Sequence, residues 1–253
     1  MKGMQIGEMA AVAAAVLWTL STLAWTSSGR RIGALAVSFH RLMLTCVFLV
    51  VYGGLVRGRP LPTDADTETW LILGLSGLMG FFVCDLCAFK ALLMIGPRLT
   101  LLLQAISPPT AAIVSWIFLG ETLQAWQWLA MAVTIGGITW VVLERQPMTG
   151  ASHGQRPAAA GVLLAVAAAL TQAVAMMLSR KGIGQYDAVA ATFIRVLGAL
   201  PGYVVLLTVV GRWPAVFLAV RDGRAMTIVI VGSLVGPFLG VVVCMVALRH
   251  SPT

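Results

Sequence analysis

Residues 34–56 read ALAVSFHRLMLTCVFLVVYGGLV. Crossing a bilayer core as a helix takes ~20 apolar residues, and this run is long enough. Its apolar residues are not confined to one stripe, which is the pattern of a helix packed in lipid rather than one lying on a soluble core. Within it stands a single formal charge, Arg41. Everything else in the chain follows from asking whether this run has companions.

It has seven: Met9–Ser28, Trp70–Ile95, Leu99–Leu119, Ala125–Leu143, Ala158–Ser179, Ala188–Val210 and Met226–Leu248. Short polar connections separate them, among them Gly29-Arg30-Arg31, Gly96-Pro97-Arg98 and Gly120-Glu121-Thr122. The first run is long and lacks a convincing cleavage site, so it reads as a permanent span and not as a signal peptide. The expected fold is all-α: a polytopic membrane bundle with eight transmembrane helices.

The composition agrees. Of 253 residues, 59% are hydrophobic and 10% charged, and the mean hydropathy is +0.94. A soluble domain of this length would need far more charge to cover its surface, whereas lipid accepts an apolar exterior. The net charge of +8 is carried by residues standing singly or in pairs between apolar runs, which fits anchoring at headgroups; no basic tract interleaved with aromatics suggests nucleic acid. Basic residues fall on both sides whichever way the N-terminus is placed, so the positive-inside rule does not decide orientation. Cys84 and Cys87 form a CxxC, but no second CxxC or histidine pair accompanies it. No metal or other cofactor is expected.

The chain repeats itself. A shift of 154 residues brings Ala-Val-Ala-Ala-Ala at 11–15 onto the same sequence at 165–169, and Ser38-Phe39-His40-Arg41-Leu42 onto Thr192-Phe193-Ile194-Arg195-Val196. An arginine inside an apolar run is rare, so a matched pair is informative. One residue more of offset aligns Gly77 with Gly232 and Pro97 with Pro252. The halves are residues 1–146, with five spans, and residues 158–253, with three. The polar stretch 147–157 links them. Because the first half holds an odd number of spans, the second enters from the opposite side, which makes inverted repeats, a design that supports alternating access. Counterparts of the last two spans of the first half are missing from the second, which reads as a truncated repeat.

The stretch from Gly80 to Gly137 carries Asp85, Ala88-Phe89-Lys90-Ala91-Leu92, Ile95-Gly96-Pro97-Arg98, Ser107-Pro108-Pro109-Thr110-Ala111 and Leu119-Gly120-Glu121-Thr122-Leu123. In order and spacing it resembles the third-to-fifth helix block of the EamA family of the drug/metabolite transporter superfamily. The resemblance implies a ten-helix bundle of two five-helix repeats in the cell (inner) membrane. It also implies secondary transport, often export, of small metabolites or amphipathic compounds, coupled or not to a proton or ion. The departure of this chain, eight helices in place of ten, leaves a second reading: a non-transporting fragment or accessory subunit. Beyond lipid and a small-molecule substrate no partner is implied, and the oligomeric state is undetermined.

Candidate substrate- or ion-binding residues follow. A buried aspartate near a helix centre costs about 2.5–3.5 kcal/mol, so Asp85 either binds a cation or proton or meets one basic partner. Arg41 and Arg195, about ten residues inside their spans, either bind a substrate anion or gate, or anchor on carbonyls or lipid phosphate. Trp18 and Gln172 are repeat-equivalent, and with Gln104 and Ser107 they stand on helices that line the central cavity in the resembled family. Trp18 offers an aromatic wall or simple packing.

Other residues read as structural. Lys90 lies ~140° around the helix from Asp85 and snorkels toward the interface. Pro108 and Pro109 loosen the fourth run. Gly120 and Glu121 form the turn heading the fifth, where the carboxylate suits a helix N-terminus. No nucleophile–base set or paired carboxylates lie inside the spans, so no enzyme is expected.

Overall fold

The computed structural model describes residues 2–120, 122–143 and 159–240, and all their regular structure is helical. The chain forms α1 (Lys2–Ile32), α2 (Ala34–Val56), α3 (Thr67–Gly77), α4 (Asp85–Gln104), α5 (Ser107–Leu119), α6 (Ala125–Leu143), α7 (Ala159–Ile183), α8 (Ala188–Val210), α9 (Trp213–Ala219) and α10 (Gly223–Ser233). Two seven-residue π-helical segments are inserted: Leu78–Cys84 joins α3 to α4, and Leu234–Gly240 continues α10. Four helical stretches among the described residues are long and apolar enough to cross a membrane: 34–56, 67–104, 159–183 and 188–210.

The boundaries have local causes. Gly96 (φ 79°, ψ 165°) leaves helical geometry just before Pro97, in the Gly-Pro-Arg turn expected there. The run 99–119, expected as one span, is divided instead. Helix α4 ends at Gln104, and α5 starts at Ser107 with its prolines in the first turn, where a missing N–H leaves no hydrogen bond broken. Gly120 (φ 67°) closes α5 in the left-handed conformation. Asp187 and Asp222 cap α8 and α10 by accepting from the Ala190 and Ala225 amides. The short helix α9 lies in a stretch read as a connection. Glu121, residues 147–157 and the end of the eighth run lie outside the described residues.

Two antiparallel pairings built alike hold the bundle. Helix α7 runs along α3, the first π segment and α4: Gly161 meets Ile95 and Met94, Ala175 meets Ser76 and Gly80, and Gly182 meets Leu73. Helix α1 runs in the same manner along the second π segment and α10: Trp18 meets Gly240, Ser21 meets Gly236, Trp25 meets Gly232, and Ser28 donates to the Ala225 carbonyl. Small residues make both approaches possible. At Gly77 the helices are so close that a Cβ would overlap the Arg195 carbonyl. Helices α2 and α8 pack between these pairs, through Leu42, Leu49, Phe193, Val196 and Tyr203.

Outside, large apolar side chains stand free: Leu55, Leu71, Phe118, Trp140, Leu163 and Val209 are all at least two-thirds exposed. A surface so apolar around a helical bundle suits contact with lipid tails.

Polar contacts tie the two ends. At one, Arg31 of α1 donates to Asp222 before α10 (3.0 Å). At the other, between α2 and α3, Asp64 accepts from Tyr186 (2.8 Å) and Arg57 (2.9 Å), and Arg57 lies 3.7 Å from Asp187.

Candidate functional site

The site grows from two arginines eight residues into their helices. Each lies about 10 Å along its helix axis at 1.5 Å per residue, Arg41 on α2 and Arg195 on α8. Both reach one cavity of about 130 Å³ inside the bundle. Its wall comes from both halves: Trp18 of α1, Leu42 and Thr45 of α2, Phe81 of the first π segment, Gln172 of α7, and Thr192 and Val196 of α8.

The two guanidinium groups are held differently. Arg41 is 5% exposed, and its Nη2 donates to the Asp85 carboxylate. Its guanidinium carbon also lies 4.4 Å from the Trp25 ring centroid and 5.8 Å from that of Phe89, so the cation has an ion pair and two aromatic faces. Among the described residues Arg195 has no such counter-ion. Its guanidinium carbon lies 4.8 Å from the Phe81 centroid; the Nε atoms of both arginines are buried with no hydrogen-bond partner. Gly80 leaves the space it needs: a Cβ there would stand 3.3 Å from Arg195 Nη2 and 3.6 Å from Gln172 Oε1.

The π segments belong to this geometry. The first carries Phe81 into the cavity wall and hands over directly to Asp85; the second ends at Gly240, against the Trp18 ring. A π turn widens the helix and re-aims side chains, and such turns gather at functional sites.

Of the residues singled out in the sequence, Trp18, Arg41, Gln172 and Arg195 come together in the cavity, and Asp85 stands behind Arg41. Gln104 closes α4, and Ser107 opens α5 with its hydroxyl buried and unpartnered; neither lines the cavity. Pro108 and Pro109 lie in the first turn of α5, and Lys90 is exposed on α4. Sequence reasoning missed Leu42, Thr45, Phe81, Thr192 and Val196, and also Trp25 beneath Arg41. Helical spacing carried a signal for them: Thr45 is four residues after Arg41, Phe81 four before Asp85, and Thr192 three before Arg195.

Among the described residues no group of three or more histidine, cysteine or acidic side chains could hold a metal ion. The cavity wall holds hydroxyls, an amide, an indole and two cations, groups that can hydrogen-bond and orient a small ligand.

Comparison with known proteins bears on what that ligand is for. The model of the EamA-like transporter family matches residues 5–143. A solved crystal structure of a protein that is 19% identical aligns over 96% of this chain and 85% of its own, with a TM-score of 0.55, a likeness of fold alone. No curated protein matches the chain.

Proposed function

From a chain that belongs to the EamA-like transporter family, we infer a multi-pass secondary transporter of the cell (inner) membrane that exports small metabolites or amphipathic compounds by alternating access. The observation that carries the reading is the shared cavity. Arg41 and Arg195 occupy the same place in the two sequence halves and meet at one cavity inside the bundle, with α1, α2, α7 and α8 all contributing walls.

Alternating access requires two ways of closing one site. The twofold pairing, α7 on α3–α4 and α1 on α10, supports the inverted-repeat reading, since each half then offers the same movable contact from opposite sides. The two polar ties, Arg31–Asp222 and Asp64–Tyr186, stand at opposite ends of the helices that surround the cavity, where gates would close it. The family points to a transporter rather than an enzyme.

The test is efflux from vesicles. The purified protein is reconstituted, the vesicles are loaded with a small-molecule extract of cells, and the lumen is followed by mass spectrometry. A transporter depletes a small set of compounds faster than protein-free vesicles do. Identical depletion in both, with the protein shown to be folded and inserted, overturns the reading.

A further inference from the structure

The transporter reading leaves the substrate class open, and the cavity's charge narrows it. Arg41 is neutralised by Asp85, which itself does not line the cavity. Arg195 is not neutralised: among the described residues no acidic side chain lines the cavity, and none forms an ion pair with this guanidinium. Its Nε is buried and unpartnered, as is that of Arg41, and the Phe81 ring centroid lies 4.8 Å from its guanidinium carbon. The site therefore holds one uncompensated positive charge in surroundings of low dielectric, where a missing counter-charge is most strongly felt.

Resting on that transporter reading, we infer that the cavity takes the carboxylate of a small organic acid with one net negative charge, and that Arg195 is its receptor. A single anionic charge completes the balance that Asp85 provides for Arg41. A dianion such as a phosphate monoester would leave a negative charge unbalanced. A zwitterion would bring an ammonium group into a wall with no free carboxylate, and an amine would be repelled. The guanidinium's planar fork matches the two oxygens of a carboxylate better than a spherical anion. The rest of the acid meets Trp18, Leu42 and Val196, an apolar wall, in a cavity of about 130 Å³ that suits a short chain.

The test is binding to the purified full chain in detergent, read as ligand-dependent shifts of the thermal midpoint. The probes are butyrate, its zwitterionic relative 4-aminobutyrate, n-butylamine, inorganic phosphate and chloride. Butyrate is expected to bind at least tenfold more tightly than any of the others. Arg195→Gln should weaken butyrate tenfold or more, and Arg195→Lys, which keeps the charge and loses the fork, should fall between. Equal or tighter binding of 4-aminobutyrate, butylamine, phosphate or chloride overturns the inference, as does unchanged butyrate affinity in a folded Arg195→Gln protein. If that variant does not fold, the wild-type ligand series alone decides. The two readings fail separately. Butyrate binding by a protein that moves nothing across vesicles removes the transport reading and keeps the site. Export of a zwitterion or cation keeps transport and removes the site.

Discussion

Arg41 and Asp85 bring the sharpest consequence at the scale of single residues. They are joined across α2 and α4, with the Arg41 side chain 6% exposed and that of Asp85 16%. Removing one charge strands the other, which in buried pairs costs about 3–5 kcal/mol, whereas removing both costs much less. Asp85→Asn is therefore expected to lower the thermal midpoint sharply, and Arg41→Met/Asp85→Asn to recover most of the loss. Equal destabilisation in the single and double variants would show that the pair is not the source. The Asp64 carboxylate, at the surface, behaves differently. The Tyr186 hydroxyl that donates to it, helped by Arg57, holds it below the usual carboxylate range. A carboxylate with a depressed folded-state value stabilises above its ordinary value, near pH 4, and that contribution fades as pH falls through the depressed one. The thermal midpoint should fall on acidification from pH 5 to 3, by less in Asp64→Asn.

At the scale of elements, what matters is how closely helices approach. Gly77 touches the backbone of α8 at Arg195, and a backbone carbonyl cannot swing aside as a side-chain tip can. Gly77→Val should force α3 from α8 and cost about 1–3 kcal/mol or more, measured by thermal unfolding in detergent. It should also disturb the cavity, because Arg195 moves with its carbonyl. Gly137 on α6 is the contrast. Nothing lies within 4 Å of a Cβ built there, so Gly137→Ala should be neutral or stabilise by about 0.5–1 kcal/mol through helix propensity alone. A large loss at Gly137 with none at Gly77 would reverse this account of the packing.

At the scale of the whole molecule, the two polar ties are the places to lock. In a background without the native cysteines, Arg31→Cys/Asp222→Cys joins α1 to the start of α10 at one end. Asp64→Cys/Tyr186→Cys joins the α2–α3 connection to the α7–α8 turn at the other. Each cross-link should stop efflux reversibly, with flux restored on reduction, and each should protect cavity residues such as Thr45 from labelling on one side of the membrane only. Full flux with either bond closed would exclude those contacts as gates.

The sequence by itself determined the elements. Helices α2 and α8 begin and end where the apolar runs 34–56 and 188–210 do, and α6 begins where the run 125–143 does, because crossing lipid is a demand on consecutive residues and hydropathy records it directly. It also singled out Trp18, Arg41, Gln172 and Arg195, since a polar or charged group inside an apolar run is costly enough to stand out. What joins them was decided only by tertiary structure. That Asp85 meets Arg41 across 44 positions, that Trp25 and Phe89 face the same cation, and that Arg195 meets the face of Phe81 depend on which helices are neighbours and how the π turn at Leu78–Cys84 rotates the residues beyond it. The break at Ala105–Ile106 inside a continuous apolar run was hidden for the same reason. Hydropathy reports how well a segment suits lipid and is blind to the angle at which one helix meets the next.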